Sequence, residues 1–274
     1  MSAARPRSGR FPLQLDRVGA GDRSAAGELL RPQRTLHEAA ASGAAGATSP
    51  TGLGLDSSAV RQRMVARVRD NGGACDAVLA AMDTVPRHLF VDSALATHAY
   101  EDTSLPIGWE QTISKPTVVA RMLSLLFEAQ IVRARSNPSL GRVLEIGTGC
   151  GYQAALLARL AAQVVSIERL GPLHHKAQDH LRQVGCRNVR LVHGDGRQGH
   201  APNAPYDVIV SAAGGDDLPA AWLDQLVPGG RLVAPMHRPG SGGQVLMVVD
   251  RTPDGYRQSV HDAVHFVPLK SGRV

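Results

Sequence analysis

Cysteine, aromatic residues and long apolar runs are all scarce in this sequence of 274 residues. The three cysteines, Cys75, Cys150 and Cys186, are widely separated and form no Cys-x-x-Cys pair. A disulfide framework and a zinc site are therefore not predicted, and a reducing compartment, the cytoplasm, is the expected location. No run approaches the roughly 18 consecutive apolar residues that a membrane helix requires, so we expect a soluble protein.

The first part of the chain lacks the features of both a secretory signal and a packed core. Arg5, Arg7 and Arg10 are not followed by an apolar stretch, and acidic residues interrupt the arginine-rich, alanine-rich composition that a transit peptide would share. Residues 1–55 contain one aromatic residue, Phe11, and no sustained period. Such a segment buries too little apolar surface to offset its ordering entropy. We predict a disordered extension over residues 1–55 and a catalytic domain over residues 56–274.

The net charge of +6 is not spread evenly along the chain. Residues 1–55 hold seven arginines against four acidic residues, which accounts for half of the excess. The remainder is only mildly basic, and this distribution is weak support for a nucleic-acid surface.

The chain contains enough apolar residues, 43% of the total, to fill the core of one sizeable domain. Apolar positions in residues 59–70 share one helical face, and a second short helix is predicted over residues 75–82. Residues 100–116 carry Pro and Gly and show no clear period, so we predict a loop there. Pro116 then stands at the start of a third helix.

From residue 142 onward, short apolar runs alternate with helical stretches. This alternation predicts an α/β fold with a doubly wound, mostly parallel sheet, preceded by the N-terminal helices. A further strand is expected within residues 261–269. Strands are predicted over residues 142–146, 163–167, 189–193, 207–211, 231–235 and 244–250, and helices over residues 152–160, 172–184 and 219–226.

Three glycines at alternate positions, Gly147, Gly149 and Gly151, join the first of these strands to a helix. Glycine permits positive φ, and open α/β sheets bind ligands beside such turns. The dinucleotide fingerprint would place its third glycine where Tyr152 stands. Glu145, inside the strand end, would repel a pyrophosphate and attract a cationic sulfonium. The pattern therefore favours S-adenosylmethionine over a nicotinamide dinucleotide.

Two more acidic residues follow the next two strands. Glu168 can accept hydrogen bonds from both hydroxyls of a ribose, and Asp195 can accept one from an adenine amino group. For each of them alone, a helix-cap or turn residue is the better interpretation. Three acids at three successive strand ends favour one shared crevice.

The most specific pattern is AYEDTSLPIGWEQTISKPTVVARM at residues 99–122. VPRHLFV precedes it at residues 85–91, and VLEIGTGCGYQ, HGDGRQG and HFVPL follow at residues 143–153, 193–199 and 265–269. These motifs resemble the class I (Rossmann-like) methyltransferases and one family in particular, the protein-L-isoaspartate O-methyltransferases. The resemblance extends from about Val60 to the last residue.

The resemblance implies methyl transfer from S-adenosylmethionine to the free carboxylate of L-isoaspartyl and D-aspartyl residues, a protein-repair reaction. The expected partners are damaged proteins and peptides, without nucleic acid, membrane or metal. Ser114 would be the active-site serine, and Thr112, Ile113 and Ser114 would line the junction of cofactor and substrate. The residues implied to hold the cofactor also include Glu145, Gly147, Thr148, Gly149, Gly151, Glu168, Asp195 and Gly196.

Two departures from the family pattern concern the loops. Trp109, in Gly-Trp-Glu before Gln111, replaces smaller residues and could narrow or cap the entrance. Residues 213–217, with two glycines and two aspartates, differ where proline is common, and we expect a more mobile loop there.

Alternatives remain for Ser114 and for the whole chain. Ser114 lacks the Gly-x-Ser-x-Gly elbow of a hydrolase nucleophile, but it could be a helix cap before Pro116. A methyltransferase of the same fold acting on small molecules or nucleic acid would need another substrate loop, and base methyltransferases often carry Asn/Asp-Pro-Pro-aromatic where this chain has Ser211-Ala212-Ala213-Gly214. An arginine-rich binding protein that kept only the scaffold is the third possibility.

Overall fold

The computed structural model describes residues 58–137, 139–237 and 243–274. The extension predicted over residues 1–55, and Asp56, where order was expected to begin, lie outside the described residues. No helix in the described ranges is long and apolar enough to cross a membrane.

Two helices and a hairpin precede the central sheet. Helix α1 (Ser58–Asp70) buries Met64, Val65 and Val68, as its period predicts, and α2 (Asp76–Thr84) packs beside it. Two 3₁₀ segments, Arg87–Phe90 and Ser93–His98, lead to the hairpin. These elements are followed by strands β1 (Leu105–Gly108) and β2 (Gln111–Ile113) and helices α3 (Pro116–Phe127) and α4 (Gln130–Arg133).

The prediction of a loop over residues 100–116 is wrong for its central part. Strands β1 and β2 pair in antiparallel fashion, with Leu105 opposite Ile113 and Pro106 opposite Thr112. Leu105, Ile107 and Ile113 face inward and are buried, and this short alternation forms the hairpin. The strands are only four and three residues long, too short for a clear period in the sequence.

The main sheet has seven strands in the order β5-β4-β3-β6-β7-β8-β9. The first five run parallel, and β8 and β9 add two antiparallel strands at the edge. The predicted doubly wound, mostly parallel architecture is confirmed. The elements are β3 (Arg142–Ile146), α5 (Tyr152–Leu160), β4 (Gln163–Glu168), α6 (Gly171–Gln183), β5 (Val189–His193), β6 (Tyr206–Ser211), α7 (Ala220–Asp224), β7 (Leu226–His237), β8 (Gln244–Thr252) and β9 (Gly255–Val264).

The predicted strands and helices of this part all occur, with shifts at their ends. Strand β7 begins before the predicted strand over residues 231–235 and includes residues 228–230, where Gly229 has a φ of +77°. The strand expected within residues 261–269 is the end of β9, which begins earlier, at Gly255.

The central strands are buried on both faces, which explains their nearly continuous apolar runs. Val143, Val164 and Val208 face the cluster that contains the N-terminal helices and α5. The next residue of each strand faces a second cluster, which includes Trp222 of α7. The carboxyl ends of β3, β4 and β6 therefore form a fixed edge from which loops project.

Candidate active site

A cleft lies at the carboxyl ends of β3, β4 and β6. Its wall combines the glycine loop after β3, the β1–β2 hairpin with Ser114, and a C-terminal segment after β9. The lining residues are Ile107, Gln111, Thr112, Ile113, Ser114, Val119, Ile146, Gly147, Thr148, Gly149, Cys150, Tyr152, Gln153, Ile167, Glu168, Arg169, Leu170, Gly196, Ala212, Ala213, Val267, Pro268, Leu269 and Lys270.

The glycine loop is held tightly against the sheet. Gly147, Gly149 and Gly151 have φ values of +85°, +56° and +91°, a region that residues with a Cβ rarely adopt. Gly147 and Thr148 line the cleft while their N–H groups donate to the carbonyl of Ile167 at 2.9 and 3.2 Å. A Cβ on Gly149 would stand 3.2 Å from Ile107 Cδ1 across the cleft. The loop thus keeps its backbone open to a ligand.

Gly151 has a different position from the one implied for it. It is not among the lining residues, and a Cβ there would contact Ala177 and Leu181 of α6 at 3.4 Å. It is the residue before α5 and has left-handed backbone geometry. Gly151 therefore serves the sharp turn and the packing of α5 on α6.

Glu168 lies on the cleft wall, with its side chain largely buried. Its Oε2 accepts from Gly149 N at 2.8 Å and its Oε1 from Leu170 N at 2.9 Å. These bonds fit the turn interpretation, but both oxygens keep lone pairs for further donors. The position at the end of β4 suits a ligand with neighbouring hydroxyl groups.

Glu145 lies beneath the glycine loop and is fully buried, outside the lining residues. Its Oε2 accepts from Ser166 Oγ at 2.5 Å, and Ser166 Oγ is 2.5 Å from Thr148 Oγ1. Burial raises the pKa of Glu145 to about 8. The carboxyl group of Glu145 therefore does not face the cleft. It does not supply the negative charge that the sequence analysis expected beside a cationic ligand. Glu145 instead supports Thr148 from below.

Asp195 likewise lies behind the cleft wall, which Gly196 forms at this point. The Asp195 carboxylate accepts from Arg197 N at 2.9 Å and from Gly272 N at 2.7 Å. The first bond is the turn bond of the alternative interpretation, and the second fastens the C-terminal segment. A Cβ on Gly196 would stand 2.5 Å from Ile146 Cγ2, so only glycine allows this approach to β3.

Ser114 lies between β2 and α3 on the opposite wall. No residue in the described ranges forms a hydrogen bond with its hydroxyl, and Lys115 is the residue that caps α3. The carboxylate of Asp102 instead accepts a hydrogen bond from the backbone N–H of Thr117, in the first turn of α3, at 3.0 Å. The helix-cap interpretation therefore fails, and the hydroxyl is free to contact a ligand.

Two buried polar groups of cleft-lining residues interact with side chains behind the wall. The Tyr152 hydroxyl pairs with Arg87, and the Gln153 amide pairs with Glu145. The fit of S-adenosylmethionine therefore rests on the glycine loop, where the missing side chains of Gly147 and Gly149 leave room for a ligand, and on Glu168, whose carboxylate can accept from ribose hydroxyls.

Two further features of the cleft concern its possible metal ligands and its one cysteine. Within the described ranges, no group of three or more His, Cys, Asp or Glu side chains could hold a metal ion. Burial raises the pKa of Cys150 to about 11, so its thiol stays protonated. Cys150 is a small, buried packing residue of the glycine loop.

Eight of the site residues expected from the sequence line the cleft, and the other lining residues were not expected. The eight are Thr112, Ile113, Ser114, Gly147, Thr148, Gly149, Glu168 and Gly196. Tyr152 and Gln153 stood next to the recognised loop, and HFVPL was part of the recognised pattern. No residue of the HFVPL motif indicated by itself that the chain after β9 returns to the cleft.

Residues 59–274 match the family model described as protein-L-isoaspartate (D-aspartate) O-methyltransferase. A protein-L-isoaspartate O-methyltransferase of Methylibium petroleiphilum is 61% identical over 273 residues, covering 99% of both chains. One of Leptothrix cholodnii is 55% identical over 276 residues, covering 97% of this chain and 95% of the relative.

Solved structures agree on the fold. A protein-L-isoaspartate O-methyltransferase structure has a TM-score of 0.67 and 28% identity, and the match covers 77% of this chain and 66% of that one. A Plasmodium falciparum structure in complex with S-adenosyl-L-homocysteine has a TM-score of 0.66 at 21% identity, with 77% and 98% covered. On the family model and the full-length relatives, the chain belongs to the protein-L-isoaspartate (D-aspartate) O-methyltransferase family, and the predicted S-adenosylmethionine-dependent methylation is confirmed.

Proposed function

We propose that this cleft is where the enzyme joins its methyl donor to the isoaspartyl carboxylate, with the glycine loop holding the donor and Ser114 holding the acceptor. The observation that carries the proposal is that the 111–114 segment and the Gly147–Gly149 loop line the same cleft. When bound, S-adenosylmethionine supplies an activated methyl group for a carboxylate oxygen.

The acceptor explains why the cleft needs no general base. A side-chain or terminal carboxyl group has an ordinary pKa near 4, so it is ionised at neutral pH. The remaining task is alignment and exclusion of water, for which effective molarities of about 10⁵ M or more are known. The free hydroxyl of Ser114 can donate one hydrogen bond to the carboxylate and hold it in place. Thr112 and Ile113 complete this wall.

We assign the donor side to residues at or behind the cleft wall. Gly147, Thr148, Gly149 and Gly196 contact the ligand directly, and Glu168 accepts from its hydroxyl groups. Glu145 supports Thr148, Gly151 positions α5, and Asp195 holds the C-terminal segment against Gly196.

We further propose that the partners are damaged proteins and peptides in the cytoplasm, not nucleic acid. The chain has Ala212 and Ala213 on the cleft wall after β6, where a base methyltransferase would carry polar and aromatic residues for a flipped base. The first 55 residues are proposed to lie outside the catalytic domain.

The deciding experiment measures methyl transfer from labelled S-adenosylmethionine to two matched peptides, one isoaspartyl and one aspartyl. Base-labile label on the isoaspartyl peptide alone is the expected result. Cofactor binding without transfer to either peptide would retain the fold and overturn the repair reaction.

Ser114→Ala tests the role of the hydroxyl. We expect kcat/KM to fall about 10- to 100-fold, the range for loss of one hydrogen bond to a charged group, with cofactor affinity unchanged. Ser259→Ala, at an exposed serine on β9, is the matched control with wild-type turnover. Full activity of Ser114→Ala would exclude the positioning role.

A further inference from the structure

A fully buried arginine, Arg87, stands directly behind the active-site segment. It lies in the 3₁₀ segment Arg87–Phe90 and has no exposed surface. Its Nη2 donates to the carbonyl of Ser114 at 2.7 Å, and its Nε donates to the carbonyl of Ala99 at 2.8 Å. Arg87 thus clamps the backbone of the residue that carries the free hydroxyl.

The guanidinium also lies against the cleft through Tyr152. Its Cζ is 4.7 Å from the centre of the Tyr152 ring, and Tyr152 itself lines the cleft. The buried Tyr152 hydroxyl lies beside the guanidinium and helps to stabilise its charge. The partners of Arg87 described so far, two backbone carbonyls and the Tyr152 side chain, are thus all electrically neutral.

No carboxylate among the described residues neutralises Arg87. It forms no ion pair there, and Asp102, the one acid that acts on it electrostatically, is engaged by Thr117. Burial lowers the pKa of Arg87, yet arginine remains charged in folded proteins. Buried charges are normally paired, because an isolated buried ion is strongly disfavoured. An unpaired cation beside an active site is therefore best explained by an anion that arrives with a ligand.

We infer that Arg87 is a positioning residue whose buried charge selects an anionic acceptor, the free carboxylate of the isoaspartyl residue held at Ser114. This inference rests on the proposed function of the cleft. The charge acts through the Ser114 segment and without direct contact with the substrate. It attracts the carboxylate, and its hydrogen bond to the Ser114 carbonyl fixes the hydroxyl that receives it.

Other cations near the cleft are exposed, and their attraction for the substrate carboxylate can be distinguished from that of Arg87. Lys115 adjoins Ser114, and Lys270 lines the cleft, but both side chains lie in solvent. Salt screens exposed charges over about 8–10 Å at physiological ionic strength and screens buried ones much less. The two sources of attraction therefore differ in their dependence on salt.

The test uses two labelled peptides that differ only in charge, one isoaspartyl and one isoasparaginyl, in which a carboxamide replaces the carboxylate. Their dissociation constants are measured by fluorescence anisotropy with S-adenosylhomocysteine present. We expect the wild-type enzyme to bind the isoaspartyl peptide more tightly than the isoasparaginyl peptide. It should keep most of this preference between about 50 and 500 mM NaCl, a range over which exposed charges become strongly screened. A preference that disappears with salt would assign it to the lysines and overturn the inference.

Arg87→Gln and Arg87→Lys both keep a donor for the Ser114 carbonyl, and only lysine keeps the charge. We expect the peptide preference to fall about tenfold or more in Arg87→Gln and to be largely restored in Arg87→Lys. KM for the isoaspartyl peptide should rise more than kcat falls. Arg121→Gln, which removes an exposed cation paired with Asp262, is the matched control with unchanged preference.

Three outcomes separate the possible failures. A wild-type enzyme that methylates neither peptide overturns the proposed function and the inference with it. A wild-type enzyme that methylates the isoaspartyl peptide, with unchanged preference in Arg87→Gln, overturns the inference alone. Weaker cofactor binding by calorimetry, with unchanged peptide preference, would assign the charge to the cofactor carboxylate and also overturn it.

Discussion

Glu145 illustrates how an acidic residue in a ligand-binding motif can be uncharged. Its carboxyl group is fully buried and interacts with the side chains of Ser166 and Gln153. Desolvation raises its pKa to about 8, above the ordinary value of 4.5. The sequence pattern suggested a negative charge facing the cofactor, whereas the fold places a largely protonated group beneath the loop at neutral pH.

The raised pKa predicts how Glu145→Gln changes stability with pH. Between about pH 4.5 and 8 the unfolded chain ionises at this position while the folded protein stays protonated, so the wild type loses stability as pH rises. Glutamine cannot ionise, so the variant should gain stability relative to the wild type across this window, by as much as roughly 4 kcal/mol. Urea unfolding of both proteins at pH 5 and pH 8 measures the difference. A pH-independent difference would contradict the shift.

Trp109 is an exposed aromatic side chain at the tip of the hairpin that lines the cleft, with 51% of its surface accessible. We predict that Trp109→Ala widens the entrance and raises kcat/KM several-fold for folded protein substrates relative to short peptides. Tyr256→Ala, at an aromatic residue of β9 with 42% exposure, is the control. An equal change in kcat/KM for proteins and peptides would show that Trp109 does not restrict the entrance.

At the scale of the element, the β1–β2 hairpin turns through two residues that disfavour its geometry. Trp109 and Glu110 have φ values of +49° and +58°, in the left-handed region that costs about 1–2 kcal/mol for residues with a Cβ. Strain of this kind concentrates at functional loops, and here it lies between Ile107 and Gln111, both on the cleft wall.

Glu110→Gly and Glu110→Ala separate the strain from the side chain. Both remove the carboxylate, and only glycine accepts a φ of +58° without a Cβ penalty. We therefore expect the glycine variant to be more stable than the alanine variant by about 1 kcal/mol in chemical denaturation. Equal stabilities would show that the turn relaxes when the side chain is removed.

The elements of the sheet were predictable because their signal is local. Strands such as β3 are short apolar runs buried on both faces, and the glycines after β3 mark the ligand loop without reference to the rest of the fold. The hairpin was missed because Leu105, Ile107 and Ile113 alternate over too few residues and its turn lacks a glycine pair.

The site was only partly predictable because several of its residues depend on long-range packing. Arg87 resembles any surface arginine in the sequence, and only the path of the Ala99 and Ser114 backbones makes it a buried clamp. The segment from Val267 to Lys270 reaches the cleft because Leu269 N donates to the carbonyl of Gly214. Neither contact has a signature in the local sequence.

At the scale of the whole molecule, the family model matches residues 59–274 and leaves the first 58 residues unmatched. Within the part of the chain that the structure describes, the residues that line the cleft fall between Ile107 and Lys270. We predict that a chain beginning at Ser58 folds and methylates an isoaspartyl peptide with kcat/KM within about twofold of the full chain. A large loss of activity in a truncated chain that still folds would show that residues 1–57 contribute to the methylation reaction.

The C-terminal segment connects the end of the chain to the cofactor side of the cleft. Gly272 N donates to Asp195 at 2.7 Å, Val274 N donates to the carbonyl of Arg169 at 2.8 Å, and Lys270 lies on the cleft wall. Because Leu269 remains bonded to Gly214, removal of residues 271–274 should leave the fold intact.

We expect that deletion to weaken S-adenosylmethionine binding about three- to tenfold, the usual effect of losing one or two net hydrogen bonds that order a binding wall. Calorimetric titration measures the affinity, and thermal unfolding checks the fold. Asp195→Ala, which removes only the Gly272 and Arg197 bonds, should reproduce part of the loss. An unchanged affinity with a lower unfolding temperature would mean that the segment stabilises the sheet edge and does not shape the cofactor site.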